Sequence, residues 1–316
     1  MLYSLLFLTM LGVGIGCKKE VEDVKPPVVV SPPTSGTTPP VSTTPTSPTT
    51  VLLTDYPPGC RIARTIYKTL TANRDQSIIF DPETVTLEDG RKVEVSTIVT
   101  TLYSYDLQGR IAGEKQLNTL SYINLSYTYT NTRLYTNQES KATGEKVPIF
   151  EIDTTQLNEQ GYILRLDSKS GPPLYIYNQE GQRISRYGNV PAIFNQYQNG
   201  NMIREVATGI GYTVNGQRVD MPDDVYTYRY DTLRPNLPVI HQFKGKLSRN
   251  LPIERIDYSS GLLPGPVYRK SFTYFYDAVG RVKRRITYGK ALNPLWGLQD
   301  DPNGIGVTDF EYENCP

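Results

Sequence analysis

A single histidine, His241, serves the whole 316-residue chain, which excludes a histidine-based metal cluster, and three cysteines cannot supply the paired sets that structural zinc requires. Neither a Gly-x-Ser-x-Gly nucleophile elbow nor a phosphate-cradling glycine loop occurs. Blocks of like charge are missing as well. The 33 basic side chains are balanced by 32 acidic ones, so the basic surface that nucleic-acid binding needs is not there. No catalytic residue, metal or cofactor is therefore expected, and nucleic acid is excluded as a partner. Acidic pairs are the remaining route to hydrolysis, because two carboxylates held about 5 to 10 Å apart suffice to cleave a glycosidic bond. Asp223-Asp224 and Asp300-Asp301 each sit beside a proline and read as loops, where neighbouring side chains diverge. A calcium loop around Asp301-Pro302-Asn303-Gly304 fails at both ends, with Gln299 in place of the first Asp and Phe310 in place of the closing Glu.

Long apolar runs are confined to Leu2 to Ile15. That stretch falls short of the roughly 20 residues of a spanning helix and has the length of an export segment. It ends in Gly16, before Cys17 and the charged run Lys18 to Asp23. Residues 1–16 thus read as a lipoprotein signal peptide and Cys17 as the lipid-carrying residue. Gly14 stands where Leu is usual in such signals, and simple secretion is the competing reading. Residues 17–55 form the anchor and a Pro/Thr/Ser-rich tether, in which Lys25 to Thr50 holds eight of the 24 prolines. Such a segment buries too little to offset the entropy of ordering, so it stays extended, reaching up to roughly 90 Å at about 3.1 Å per residue.

From residue 56 to 316 the composition changes to one tyrosine-rich body holding nearly all of the 24 tyrosines. Aromatics recur at period two, as in Tyr103-Ser-Tyr105, Tyr127-Thr-Tyr129, Tyr226-Thr-Tyr228-Arg-Tyr230 and Tyr274-Phe-Tyr276. Side chains two apart share one face of a strand, so the spacing predicts sheet and not helix. Asp89-Gly90 and Asn215-Gly216 predict tight hairpins. Pro238 to Phe243, which includes His241, alternates like another strand.

A phrase repeats within this pattern. Its best copies are Tyr103-Ser-Tyr105-Asp106-Leu-Gln-Gly109-Arg110-Ile111 and Tyr274-Phe-Tyr276-Asp277-Ala-Val-Gly280-Arg281-Val282. A third, Tyr175-Ile-Tyr177-Asn178-Gln-Glu-Gly181-Gln-Arg183-Ile184, carries one extra residue. Weaker copies start at Asn158, Gln198 and Asp257. Asp or Asn can bond the backbone two residues on, Gly supplies the left-handed conformation of the reversal, and Arg begins the returning strand.

These residues resemble the YD repeat, also called the RHS repeat, whose hallmark is Tyr-Asp-x-x-Gly-Arg before an apolar residue. The chain is still more similar to envelope lipoproteins of Bacteroidota that carry degenerate YD-type copies in a domain of unknown function with a porin-like fold. Cys17, Lys18 to Asp23 and Asn293-Pro294-Leu295-Trp296-Gly297-Leu298 carry that similarity. It implies an antiparallel barrel-like shell and, through the charges after Cys17, export to the cell surface.

With Cys17 assigned to lipid, Cys60 and Cys315 remain, one at each end of the body. In an oxidising compartment a bridge between them closes the barrel; two unrelated thiols are the alternative. The expected architecture is all-β, an antiparallel up-and-down meander of about 14 to 18 strands forming a soluble, porin-like barrel of hairpin repeats. Charges on both faces of strands such as Arg281 to Ile286 argue against a membrane-embedded barrel. The expected protein is anchored in outer-membrane lipid at the cell-surface or periplasmic face. It is a non-catalytic binding or structural module for a glycan or an envelope protein, with a carboxylate-dependent glycan hydrolase as the alternative. Trp296, Tyr228 and Tyr276 are the rings considered for stacking on a ligand.

Overall fold

The computed structural model describes residues 55–315 except 74–78, 167–173, 188–191, 210–211, 215–216, 220–221, 260–264 and 293–303. Helix among them is limited to 3-10 turns at Thr71–Asn73 and Gln242–Lys244. The rest is strand and turn, as the period-two spacing predicts. In chain order the strands are β1 (Arg61–Leu70), β2 (Glu83–Thr86), β3 (Lys92–Tyr105), β4 (Ile111–Asn118), β5 (Ser121–Tyr129), β6 (Arg133–Ala142) and β7 (Ile149–Leu157). They continue as β8 (Ile163–Leu166), β9 (Tyr175–Tyr177), β10 (Arg183–Arg186), β11 (Ile193–Gln198), β12 (Asn201–Ala207), β13 (Tyr212–Val214) and β14 (Gln217–Val219). The last five are β15 (Asp224–Pro235), β16 (Asn250–Ser259), β17 (Gly265–Tyr276), β18 (Val282–Ala291) and β19 (Gly306–Glu313).

Around the ring neighbouring strands pair antiparallel, β12 passing directly to β15, and β1 pairs with both β3 and β19, so the meander returns to its start. Sixteen strands make the ring, with β2 added against the first residues of β3 and β13–β14 standing apart as a separate hairpin. The ring is thinnest between β8 and β9, which are joined through the Leu174 N–H to the Leu164 carbonyl at 2.9 Å. Where the ends meet, Arg61 faces Glu313, and Cys60 and Cys315 are joined by a disulfide with their Cα atoms 4.5 Å apart.

In an up-and-down ring, successive connections fall at alternate ends. The turns after β3, β5, β7, β9, β11 and β17 therefore share one end with the disulfide; we call it the turn end. The repeat chemistry gathers there. The Asp106 carboxylate accepts the Gln108 and Arg110 N–H groups at 3.0 and 2.9 Å and the Arg110 Nε at 2.8 Å. Asp277 does the same for Val279, Arg281 and the Arg281 Nε at 3.1, 2.9 and 2.7 Å. Gly109 and Gly280 take φ of 81° and 89°, a conformation that costs other residues about 1–2 kcal/mol. Each arginine also lies over a tyrosine of the next strand, Arg110 over Tyr129 at 4.3 Å and Arg281 over Tyr312 at 5.5 Å. The motif thus ties three strands together.

Three expectations change. In the third copy the Asn178 side chain accepts the Gln182 N–H at 2.7 Å, so Gln182 holds the place of the turn arginine, while Gly181 keeps its own. Arg183 belongs to β10 instead, because the loop has the same length as the others and no extra residue. Asp257 is not at a turn: it lies within β16, paired with Tyr226 and Tyr268, and binds Arg255. Finally, Pro238 to Phe243 is not a strand. Prolines lack the N–H that a ladder needs, and the 236–249 connection leaves the wall between β15 and β16 to fold inward.

That inward segment is a plug. Its Leu237, Ile240 and Phe243 pack against Ile62, Ile111, Leu134, Leu157, Leu251, Val282 and Phe310, with Tyr103, Tyr105, Tyr127, Tyr129, Tyr274 and Tyr276 around them. Full burial of each large apolar side chain is worth about 1.5–3 kcal/mol. Its backbone is stitched to the repeat turns: the Lys246 N–H reaches the Gly181 carbonyl and the Arg249 N–H the Gly200 carbonyl, both at 2.9 Å. Gln242 donates to the Gly109 carbonyl and accepts from the Ile111 N–H, both at 3.3 Å.

A second core lies on the opposite face of the wall. Phe310 faces the plug whereas Val307, an odd number of residues away, packs with Val85, Leu87, Val95, Ile286, Tyr288 and Ile305. The β2–β3 hairpin, turning at the Asp89-Gly90 pair, covers this patch as a flap.

Candidate functional site

Strand alternation lines the ring's interior with tyrosines, since residues 226, 228 and 230 of β15 and 274 and 276 of β17 all face the same way. Room is made by glycine where rings cross the wall: a Cβ on Gly289 or Gly304 would lie 1.6 or 2.1 Å from the Tyr268 hydroxyl oxygen. Beside the plug the packing stops short of filling the interior. Two cavities of about 320 and 380 Å³ lie there and share Lys244 and Leu247 of the plug as walls.

The smaller cavity is lined by Arg183 of β10, Asn195 and Tyr197 of β11, Glu205 of β12, Tyr228 and Tyr230 of β15, and Lys244 and Lys246 of the plug. Tyr230 is fixed by donating to the Met202 carbonyl at 2.7 Å, and Tyr197 by donating to the Arg183 carbonyl at 3.2 Å. Asn195 Nδ2 also donates to that carbonyl at 2.8 Å, whereas its Oδ1 and the Arg183 Nε are buried without a hydrogen-bond partner. Lys244 is exposed, although the neighbouring wall takes part of the water from its ammonium. That loss of water pushes its ammonium below the usual lysine range; Glu114 opposes the shift and Arg183 adds to it. The larger cavity adds Thr65, Tyr103, Arg285 and Thr308.

His241 stands between plug and wall, with Nε2 2.9 Å from the Glu114 Oε2. Burial raises the Glu114 carboxyl, and bonds from His241 and Gln116 more than reverse this, leaving it below the ordinary glutamate value. The pair pins the plug to β4.

On the outer face, a groove of about 620 Å³ at the flap edge contains Ile66, Phe275, Arg284 and Asp309. Glu83 and Asp309 meet there on the Lys68 Nζ, at 2.6 and 3.1 Å, and both also bind Arg284. Burial raises both carboxyls, but the two cations outweigh it and hold both below their usual range. A glycosidase pair needs one carboxyl raised and one ionised. These two are alike, and they act as a charge clasp between flap and wall. No cluster of three or more metal-ligating side chains occurs among the described residues.

Of the rings considered for stacking, Tyr228 lines the smaller cavity. Tyr276 is covered, with the Arg234 guanidinium 3.7 Å from its ring centre. Trp296, Cys17 and Asp300-Asp301 lie outside the described residues. Asp223 accepts from the Gly209 N–H at 3.0 Å and Asp224 begins β15. Lys244 and Arg183, which carry the cavity's charge, had no distinguishing sequence signal beyond their position near a repeat.

No protein-family model matches the chain, and no curated protein does. Among solved structures it is similar to a porin-like protein from Bacteroides uniformis, at 14% identity over 80% of this chain and 96% of that one, with a TM-score of 0.36. A porin-like protein from Bacteroides vulgatus matches at 11% identity over 80% and 99%, with a TM-score of 0.23. At those scores neither likeness bears on the fold, which the strand pairing defines by itself.

Proposed function

We propose that the chain is an envelope protein, anchored in outer-membrane lipid through acylated Cys17, whose barrel serves at the cell surface or periplasmic face as a non-catalytic binding module for a glycan or an envelope protein. The observation that carries this reading is the plug: the ring's own 236–249 segment packs into one end and leaves two half-open cavities beside it, the smaller lined by Tyr197, Tyr228 and Tyr230. Such a vessel holds ligand and does not conduct it. The outward faces support a water-exposed wall, with ion pairs between Arg64 and Glu311 and between Arg229 and Glu254 where a lipid-facing barrel carries an apolar band. Against a carboxylate-dependent hydrolase stands the matched environment of Glu83 and Asp309.

Two measurements test the proposal. Radiolabelled palmitate is expected to enter the native protein and not Cys17→Ser, with the native protein in outer-membrane fractions; equal labelling of both would defeat the anchor. The purified protein is expected to bind members of a glycan array, or an envelope protein recovered by cross-linking, without cleaving the sugars. Turnover of any glycan would transfer the reading to the hydrolase.

A further inference from the structure

Three cations and one acid surround the smaller interior cavity, and they come from separate parts of the chain: Arg183 from β10, Lys244 and Lys246 from the plug, Glu205 from β12. None of the three cations takes part in an ion pair among the described residues, although elsewhere the protein pairs its charges readily. Arg183 and Lys244 face one another closely enough that the first disfavours the charge of the second. Lys244 and Lys246 are exposed and Glu205 shares the lining, so their repulsion is partly offset, yet the lining keeps an excess of positive charge that attracts an anion. Arg183 lines the cavity, and its planar guanidinium fork matches a carboxylate. The lining also holds Tyr197, Tyr228 and Tyr230. The Tyr228 hydroxyl has no hydrogen-bond partner among the described residues. The volume of about 320 Å³ is at the small end of ligand sites.

We propose that this cavity binds an acidic sugar unit of the uronic-acid type, its carboxylate held by Arg183 and Lys244 and its ring laid against Tyr197, Tyr228 and Tyr230. The inference rests on the binding-module reading and names its ligand class. The carboxylate balances the positive charge that Glu205 leaves unmatched. The Tyr228 hydroxyl, which lines the cavity, then bonds a sugar hydroxyl. Bringing the carboxylate in restores the Lys244 ammonium toward its ordinary ionisation, so binding takes up protons at alkaline pH.

The test is calorimetric titration of the full chain with galacturonic and glucuronic acid and their short oligomers, beside the matching neutral sugars and inorganic phosphate. A uronate is expected to bind, neutral sugars at least tenfold more weakly, and affinity to fall with salt. Arg183→Met and Lys244→Met are expected to weaken uronate binding tenfold or more, and Tyr228→Phe several-fold. Lys115→Met, on the outward face, leaves it unchanged. Circular dichroism confirms folding of each variant, and Tyr228→Phe, which removes one oxygen, tests the site should a cation variant misfold. Equal affinity for neutral sugars, or unaltered binding by both cation variants, overturns the acidic-sugar assignment while leaving a glycan-binding module intact. Phosphate bound as tightly as uronate overturns the sugar half. Absence of uronate binding beside a protein partner captured on the barrel overturns the inference and leaves the module; absence of both defeats the two readings together.

Discussion

The two ends of the barrel are built on different principles. At the turn end each hairpin closes through its own side chains, the plug bonds to the turns at Gly109, Gly181 and Gly200, and Cys60 is joined to Cys315. At the opposite end cohesion is local to one sector, where the flap lies over β17 to β19 and the Lys68, Glu83, Arg284 and Asp309 clasp holds it. Away from the flap, β7 starts with five consecutive exposed residues, Ile149 to Asp153, against a single neighbour, β6. Repeated sequence thus builds one rigid rim, and the wall loosens with distance from it. The two interior cavities lie beside that rim.

The sharpest way to break the contrast is to open the rim. Replacing Cys60 and Cys315 with serine frees a loop of 255 residues, and chain entropy alone sets the loss at about 5 kcal/mol. Urea unfolding of the double variant, or of the native protein under dithiothreitol, is expected to shift its midpoint strongly downward. An unmoved midpoint would mean that strand pairing between β1 and β19 suffices to close the ring.

Second in size is the plug. Phe243→Ala removes a ring packed on Ile111, Leu134 and Leu157 and is expected to cost about 3–4 kcal/mol. The same variant should expose the repeat turns, so hydrogen exchange at Gly109 and Gly181 is expected to accelerate with it. A variant that loses stability without faster exchange at those turns would show the plug to be filler and not a fastener.

Third comes the clasp of the opposite end. Asp309 and Glu83 ionise at lower pH when folded than when unfolded, so the unfolded chain takes up protons first as acid is added. Their contribution is full at neutral pH, begins to fade near pH 4, and is gone once the folded-state carboxyls are protonated. Asp309→Asn leaves Arg284 and Lys68 sharing Glu83 alone and is expected to cost about 2 kcal/mol at pH 7, less than complete burial would give because the side chains remain 11–30% exposed. The gap between the denaturation profiles of variant and native protein should narrow as the pH is lowered from 7 through the acid range. A cost that does not change with pH would assign the loss to packing and not to charge.

The rim was legible in the sequence because its chemistry is local. Asp106 meets Gln108 and Arg110 within five residues, so the turn can be read as a word, and the alternating tyrosines beside it give the strands. The third copy was misread at Arg183 because the loop tolerates Gln182 in the arginine's place once Asn178 replaces the aspartate and no charge needs balancing. The plug was illegible for a different reason. Pro238 to Phe243 alternates as well as any strand, and only the absence of a ladder neighbour, a property of the whole ring, sends it inward. The interior cavity inherits that difficulty, since Arg183 and Lys244 are far apart in sequence and meet only because the plug folds back to the turn at Gly181.

The smallest expected effect tests the loose sector directly. Phe150 and Ile152 are 69% and 74% exposed and face outward beside Glu139 and Asn137 of β6, so truncating them removes little buried surface. Phe150→Ala and Ile152→Ala are each expected to change stability by less than about 0.5 kcal/mol, against several for Phe243→Ala, although the residues removed are equally apolar. Thermal melts of the variants at several protein concentrations settle it. If either costs more than about 1 kcal/mol at every concentration, that sector is packed in the monomer and the gradient from rim to far end is wrong. If the cost appears only at high concentration, these side chains are buried between copies, and the looseness of the opposite end is what leaves them free to meet.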